Sequence, residues 1–328
     1  MKLLYTLKQI CLLGLFSIFL CFTSQAQTGP GGVGTNTAGA FLQLWQRADA
    51  ILPIPADGTA TDFLDVSGLN RHSTNANGAA DGVRALYQAN IANTFPVVRF
   101  NGLNTTAGSQ YDDAYSYAAR TVFVVCRASS TTQNTGDLAQ VWGDYNPSQA
   151  QVALDPRGGG NNRGFSFDGA GATQARYSIN GTNFTGFVRN SNAQQWTYDQ
   201  FEVFSVEFQD TQTMTNQRIS TLASNFKTDH RFGGDLAEVI VYDRVLNPAE
   251  LIIVQNYLSA KYQTAALAQN DFYSHDAVTA QPFFHDVVGV GRETGTNTHL
   301  ASTSSFIENE SMPPNKLFPC SRASWCCA

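Results

Sequence analysis

The chain has no apolar run long enough to cross a membrane as a helix. Such a crossing takes about 20 residues, whereas the uncharged run near the N-terminus covers only residues 10–22. Lys2 and Lys8 precede this run, and residues 24–26 place small side chains where a signal peptidase cleaves. We therefore predict a signal peptide over residues 1–26 and a secreted protein, extracellular or on the cell surface, with no transmembrane segment after cleavage.

Clusters of basic residues are also absent. The chain has 20 Lys and Arg against 26 Asp and Glu. Removal of residues 1–26 leaves 18 basic against 26 acidic side chains, a formal charge of -8. A protein that binds nucleic acid needs clustered Lys and Arg to neutralise phosphates. We therefore do not expect nucleic acid as a partner.

Cysteine is scarce in the body of the chain. Of 6 Cys, two lie within residues 1–26 and three lie at positions 320, 326 and 327, which leaves Cys126 between them. Cys126 belongs to an apolar stretch that predicts a strand, where a lone Cys is more often a small buried hydrophobe than a nucleophile. A disulfide framework is therefore not expected.

The sequence lacks the common catalytic signatures. It has no Gly-x-Ser-x-Gly elbow, no His-Glu-x-x-His helix and no phosphate-binding glycine loop. Glycoside hydrolysis needs two carboxyl groups about 5 to 10 Å apart, and alternate acidic residues on one strand would supply them. Glu238 has Leu236 and Ile240 at those positions, so we interpret Glu238 as a structural residue that bonds to a loop or to the following helix. We expect a protein without enzymatic activity.

The composition favours short strands joined by polar turns. The chain contains 27 Gly, 12% aromatic and only 14% charged residues, with many Thr, Ser and Asn. Turn signals divide the sequence before Asn247 into about a dozen short strands, the number typical of a two-sheet sandwich. Thr121–Arg127 and Phe201–Phe208 are the clearest of these strands. No repeat of fixed period appears, which disfavours a solenoid or a propeller.

A strand is predicted over Leu236–Tyr242, because its residues are mostly branched or aromatic. Simple alternation places one set of side chains on the face of Glu238 and the other set on the opposite face. The first set is Leu236, Ile240 and Tyr242, and the second is Ala237, Val239 and Val241. Both faces are largely apolar, so we expect this strand to be covered on both sides.

A capped helix is predicted directly after this strand. Asn247 is a suitable N-cap, Pro248 suits the first helical position, and Glu250 completes a capping-box spacing. Apolar residues follow at helical spacing, and Lys261 lies near the negative end of the helix dipole. We expect the helix to end near Tyr262.

Four segments of the chain together resemble one family. They are Leu44–Trp45, Asp65–His72, Phe95–Gly102 and the strand and helix within Gly233–Tyr262. Each is similar to a segment of the laminin-G-like, concanavalin A-like jelly-roll modules in secreted proteins of the Bacteroidetes type. The resemblance implies an all-β fold over residues 27–263, a two-sheet antiparallel jelly-roll sandwich with a short C-terminal helix.

The chain after this module changes character twice. Residues 264–310 are interpreted as a linker and the start of a second, incomplete module, because Phe283–Arg292 resembles the beginning of modules that often follow such jelly rolls. Residues 311–328 have an atypical composition and end in clustered Cys. A truncation or frameshift accounts for this tail better than a functional thiol site does, because the three Cys lack His and a Cys-x-x-C spacing.

One candidate ligand site consists of Trp142, Asp144, Tyr145 and Asn146. Sugars present apolar ring faces and hydroxyl edges, so aromatic rings beside polar side chains are the mixture that recognises them. The alternative for Trp142 is packing in the core, which is the commoner role of Trp in a sandwich.

A candidate metal site consists of Asp112 and Asp113. Adjacent carboxylates could serve calcium, which prefers oxygen ligands. The alternative is a solvated turn, which the absence of the spaced ligands of a calcium loop favours. Asp65 lies in a loop that matches the family, and its side chain is interpreted as forming a turn rather than as binding a ligand.

The sequence leaves three functions open. The leading hypothesis is a secreted, non-catalytic module of a cell-surface protein that binds carbohydrate or a cell-surface glycan, or that mediates adhesion to a protein partner. The second is a polysaccharide-degrading enzyme of the same fold, either a glycoside hydrolase or a lyase. The third is a structural spacer without a ligand. The fold by itself does not decide among them.

Overall fold

The computed structural model describes the chain in segments. They are residues 28–35, 41–75 without 55 and 57, 84–102, 111–132, 141–143, 151–156, 163–168, 174–184, 197–215, 217–220, 232–271, 289–292, 298–299 and 325–327. For 151–156, 163–168, 174–175 and the last three segments the description covers the backbone only. The predicted signal peptide and most of the predicted segments 264–310 and 311–328 lie outside the described residues.

The larger sheet has eight antiparallel strands, numbered in chain order with those of the other sheets. They are β1 (Leu42–Arg47), β4 (Leu86–Ala92), β5 (Phe95–Asn101), β7 (Ser116–Ala128), β11 (Gln174–Ile179), β12 (Thr182–Phe184), β13 (Glu202–Thr215) and β15 (Gly233–Tyr242). Their order is β12-β11-β13-β7-β15-β5-β4, and β1 pairs with the second half of β15.

The smaller sheet has seven antiparallel strands. They are β2 (Asp62–Phe63), β3 (Ser73–Asn75), β6 (Tyr111–Asp112), β8 (Trp142–Gly143), β9 (Gln151–Pro156), β10 (Arg163–Asp168) and β14 (Arg218–Ile219), in the order β10-β9-β8-β14-β6-β3-β2. A separate three-stranded sheet pairs β16 (Gly289–Arg292) with β17 (Thr298–His299) and β18 (Trp325–Cys327).

Two apolar cores hold the structure together in three layers. The first core lies between the two sheets, where Tyr111 and Ile219 of the smaller sheet pack with Val124 and Phe100 of the larger one. The second core lies on the other face of the larger sheet, under helix α1 (Pro248–Tyr262). The prediction of an all-β, two-sheet antiparallel sandwich with one short helix at 248–262 is confirmed.

The helix begins and ends as its sequence predicts. Asn247 Oδ1 accepts a hydrogen bond from the Glu250 backbone N–H at 3.0 Å, and Glu250 Oε2 accepts one from the Asn247 N–H at 3.0 Å. This is the predicted capping box. Gln263 adopts the left-handed conformation and closes the helix after Tyr262. Among the described residues, no helix is both long and apolar enough to span a membrane.

The alternation predicted for β15 is wrong at its first residues. Leu236 packs between the sheets with Val239 and Val241, whereas Ala237 packs under the helix with Ile240 and Tyr242. The cause is a bulge in the pairing with β7, because Leu236 lies opposite Cys126 and Glu238 lies opposite Val125. One extra residue on β15 exchanges the two faces. Every residue of β15 is buried, in agreement with the prediction that both faces are covered.

Candidate functional site

Three short strands of the smaller sheet bring Asp112 of one predicted group and Trp142 of the other to one end of the sheet. β14 lies between β6 and β8 and is antiparallel to both, so Arg218 is opposite Asp112 on one side and Gly143 on the other. Because β6 and β8 run in the same direction, their last residues, Asp112 and Gly143, lie at the same end of the sheet. Neighbouring strands lie about 4.8 Å apart, which separates β6 from β8 by roughly 10 Å. We call this end the β6-β14-β8 edge.

The inner face of this edge belongs to the core between the sheets. Tyr111, Ile219 and Trp142 lie side by side there, and all three are fully buried. The Nε1 atom of Trp142 has no hydrogen-bond partner in the described part of the chain. Trp142 therefore lies in the core beneath the edge and not at the surface. Asp144, Tyr145 and Asn146, the other members of its predicted group, lie outside the described residues.

The outer face of the edge carries a pair of opposite charges. Asp112 is half-buried, and Arg218, directly across the strand pair, is buried. Burial raises the pKa of Asp112, and the positive charge of Arg218 opposes this rise. The pair places a carboxylate and a guanidinium beside each other on neighbouring strands, which gives this edge hydrogen-bond acceptors and donors.

Asp113 lies just beyond β6 and is held by backbone groups. Its Oδ1 atom accepts hydrogen bonds from the N–H of Gln217 at 2.9 Å and of Tyr115 at 3.2 Å. Burial nevertheless raises the pKa of Asp113 to about 7, and these hydrogen bonds only partly oppose it. The negative charge of Asp112 raises it further. The charge of the edge therefore changes near neutral pH.

A buried polar cluster fixes the edge to the larger sheet. Gln217 Nε2 donates to Gln46 Oε1 at 2.9 Å and to Ser73 Oγ at 3.0 Å. Gln46 Nε2 donates to Ser73 Oγ at 2.8 Å, and the Tyr117 hydroxyl donates to Gln217 Oε1. These bonds join residues of both sheets. They hold Gln217, whose backbone N–H donates to Asp113, in a fixed position.

An aromatic ring is exposed at the edge. Tyr115 is 38% exposed, and its N–H is the group that donates to Asp113. Its ring lies outside the core, in contrast to that of Trp142. Tyr115 is therefore the described aromatic residue best placed to meet a ligand beside the two carboxylates.

The pKa of Asp113 predicts a dependence of stability on pH. Its folded-state pKa of about 7 exceeds the ordinary value of 3.8, so its contribution to stability is full below pH 4 and is lost as pH rises through 7. Asp113→Asn removes this loss. We expect the free energy of unfolding of the variant, relative to the unchanged chain, to increase from pH 4 to pH 8 in urea titrations.

The matched control for this experiment is Asp210→Asn. Asp210 is an exposed carboxylate on β13 of the larger sheet, whereas Asp113 follows β6 of the smaller sheet. The difference in free energy of unfolding between Asp210→Asn and the unchanged chain should stay constant over the same pH range. A constant difference for Asp113→Asn as well would contradict the raised pKa.

The two carboxylates at the edge do not by themselves make a metal site. The described residues contain no group of three or more His, Cys, Asp or Glu side chains that could hold a metal ion. Calcium takes six to eight oxygen ligands, so Asp112 and Asp113 would supply only a part of them. Backbone carbonyls or water would have to supply the rest.

Asp65 has a structural role. Its Oδ1 atom accepts hydrogen bonds from the N–H of Trp45 at 2.8 Å and of Ser67 at 2.9 Å. Its Oδ2 atom accepts from the Ser67 hydroxyl at 2.8 Å and from the Arg71 N–H at 2.9 Å. Four donors on one carboxylate shape the loop and tie it to β1, as the turn interpretation predicts.

Glu238 also has a structural role, in the core under the helix. It accepts hydrogen bonds from Trp45 Nε1 at 2.6 Å, the Tyr262 hydroxyl at 2.7 Å, Lys261 Nζ at 2.9 Å and the Tyr257 hydroxyl at 3.1 Å. Three of these donors belong to α1. The structure thus connects Glu238 to the following helix, as the sequence indicates.

Gln217 and Arg218 are the site residues that sequence reasoning missed. They precede or belong to β14, a strand of two residues between segments without strong hydrophobic periodicity. Their position between β6 and β8 depends on pairing with strands far away in the chain, for which the local sequence holds no signal. The polar run Asn216–Arg218 before Ile219 was the only local sign.

Comparison with protein-family models and with curated protein sequences finds no match to this chain.

Proposed function

We propose that this chain is a secreted, non-catalytic module of a cell-surface protein and that it binds carbohydrate at the β6-β14-β8 edge. Membership of the laminin-G-like, concanavalin A-like jelly-roll family, suggested by the sequence resemblance, is part of the same proposal. The all-β sandwich supports it at the level of fold. Adhesion to a glycan-bearing or protein surface would use the same exposed edge.

One observation carries the proposal. Asp112 of one candidate group and Gly143, the residue after Trp142 of the other group, lie opposite the same residue of β14. A ligand that bridges roughly 10 Å, the spacing of two strand intervals, would reach from the end of β6 to the end of β8, and a disaccharide has about that length.

The described side chains fit the chemistry of sugars. The exposed ring of Tyr115 offers an apolar face for the C–H groups of a sugar ring. Asp112 and Asp113 offer acceptors for its hydroxyl groups. The buried polar cluster under Asp113 holds these groups in place before binding, which reduces the entropy lost in the complex.

Calcium is the cation that this proposal includes. Asp112 and Asp113 would contribute oxygen ligands, and a bound divalent cation would keep Asp113 ionised near neutral pH despite its raised pKa. Calcium would thereby supply a fixed positive charge for sugar hydroxyl groups. The alternative is that sugar binds without a metal ion, through Tyr115 and the carboxylate of Asp112.

The test is binding of the purified chain to a broad panel of glycans and polysaccharides, with calcium and again with EDTA. We expect Tyr115→Ala to weaken binding at least about tenfold, the loss of roughly 1.4 kcal/mol. Asp112→Asn should remove the calcium-dependent part. Leu52→Ala, at an exposed apolar residue outside the edge, and Asp210→Asn are the matched controls and should bind like the unchanged chain.

Absence of binding to a correctly folded sample in both conditions would overturn the carbohydrate proposal and favour the spacer. Binding that Tyr115→Ala and Asp112→Asn leave intact would place the site elsewhere. Release of shortened products from a bound polysaccharide would instead favour the enzyme alternative.

A further inference from the structure

A second polar feature lies on the outer face of the larger sheet. Asp235 on β15 is directly opposite Arg99 on β5 and Arg127 on β7, so the three residues form one row across three adjacent strands. Their neighbours Val98 and Leu236 face the core between the sheets. The row therefore faces away from that core, beyond the part of β15 where Glu238 meets the helix.

One buried carboxylate orients both arginines. Arg99 Nε donates to Asp235 Oδ1 at 2.7 Å and Arg99 Nη2 to Oδ2 at 3.1 Å. Arg127 Nε donates to Oδ2 at 3.0 Å, and Arg127 Nη2 donates to the same oxygen. The guanidinium of Arg127 also lies 4.7 Å from the ring centre of Phe201. Both guanidinium planes are thus fixed before any ligand arrives.

The row carries one more positive than negative charge. The Asp235 side chain is only 3% exposed, whereas Arg99 and Arg127 are 38% and 27% exposed. In both arginines, Nε and Nη2 donate hydrogen bonds to Asp235. Within the described part of the chain, Nη1 of neither arginine donates to an acceptor. An arginine stays charged at all ordinary pH values. The two guanidinium groups are therefore oriented, partly exposed donors on either side of a carboxylate whose negative charge they compensate.

We propose that Arg99 and Arg127, the arginine pair, form a binding site for a carboxylate or sulfate group of an acidic ligand. Two preoriented guanidinium groups that share one side of the sheet match the oxygen atoms of such an anion, and charge-assisted hydrogen bonds of this kind are the strong ones. The site lies on the other sheet from the β6-β14-β8 edge and does not depend on the carbohydrate proposal.

Asp199 provides a test of whether the arginine pair attracts anions through its positive charge. It is an exposed carboxylate whose pKa is lowered, chiefly by hydrogen bonds from Ser130 and in a smaller part by the charge of Arg127. The negative charge of Asp199 would repel an anion bound beside Arg127. Asp199 has φ of 62°, a left-handed conformation that Asn tolerates as well as Asp does, so Asp199→Asn should keep the fold.

The experiment measures binding of inorganic sulfate, acetate and oligogalacturonate to the full purified chain by calorimetry at low ionic strength, where charge interactions are least screened. We expect saturable binding that Arg99→Gln and Arg127→Gln each weaken about tenfold or more. Asp199→Asn should strengthen it severalfold. Arg244→Gln, which removes an arginine of similar exposure paired with Glu250, should leave it unchanged.

Arg99→Lys separates binding from folding. It keeps a positive charge next to Asp235 but loses the fork of donors, so we expect the melting temperature to stay close to that of the unchanged chain while anion binding weakens. Preference for sulfate over oligogalacturonate, or the reverse, identifies which oxyanion the site takes. No saturable binding of any of the three probes, or binding that both Gln variants leave intact, would overturn the proposal.

Discussion

Replacing Lys261 by methionine is expected to lower the free energy of unfolding by about 3–5 kcal/mol. The ammonium group of Lys261 is fully buried between two carboxylates, 2.9 Å from Glu238 Oε2 and 3.1 Å from Asp49 Oδ2. Methionine fills nearly the same volume but leaves Glu238 without its ion-pair partner, whereas Asp49 keeps Arg47 at 3.5 Å. The cost comes mainly from the charge of Glu238, which remains buried and uncompensated, because the aliphatic packing is largely kept.

Urea unfolding of the variant measures this cost, with two comparisons. Arg244→Met removes a cation from the partly exposed ion pair with Glu250 at the start of the same helix, and the loss there should be no more than about 1 kcal/mol. The double variant Glu238→Gln with Lys261→Met should recover part of the loss, because one buried charge is gone. Equal losses for Lys261→Met and Arg244→Met would contradict the importance of burial.

Trp142→Ala is the second substitution with a large expected effect. The indole is fully buried between the two sheets, next to Ile219 and Tyr111, and removal of a buried Trp typically costs about 3–5 kcal/mol through lost contacts and the cavity left behind. We expect a lower urea midpoint with an unchanged slope. Trp142→Phe should lose less, because much of the volume remains.

This expectation decides how binding data for Trp142 are to be interpreted. If ligand binding falls in Trp142→Ala only in proportion to the unfolded fraction, the residue acts through packing. Tyr115→Ala gives the converse pattern, with stability nearly unchanged and binding reduced, because its ring is exposed. A stable Trp142→Ala variant that has lost binding would contradict the placement of the indole in the core.

Local sequence determined the elements whose signals lie within a few residues. The capping box of Asn247 and Glu250 and the end of the helix near Tyr262 followed from side chains that meet their own backbone neighbours. Simple alternation also describes β5, where Val97 packs under the helix while Val98 and Phe100 pack between the sheets.

Features that depend on distant partners could not be predicted in the same way. The bulge before Glu238 arises from the register with β7, so alternation within β15 alone assigned Leu236 to the wrong face. The same limit applies to the edge, because Arg218 meets Asp112 only through strand pairing. The sequence could nominate Asp112 and Trp142, but neither their proximity nor the opposite directions of their side chains was visible in it.

The central position of β15 has a consequence for the order of folding. β15 pairs with β1, β5 and β7, all of which are synthesised long before Gly233 leaves the ribosome. Until then, the backbone edges of β5 and β7 that face β15 have no strand to receive their hydrogen bonds, and such edges invite wrong pairing. Long-range closure of this kind slows folding. β15 and the helix that follows it would therefore join the larger sheet after its other strands. Insertion of β15 between β5 and β7 would then connect two partial sheets into one.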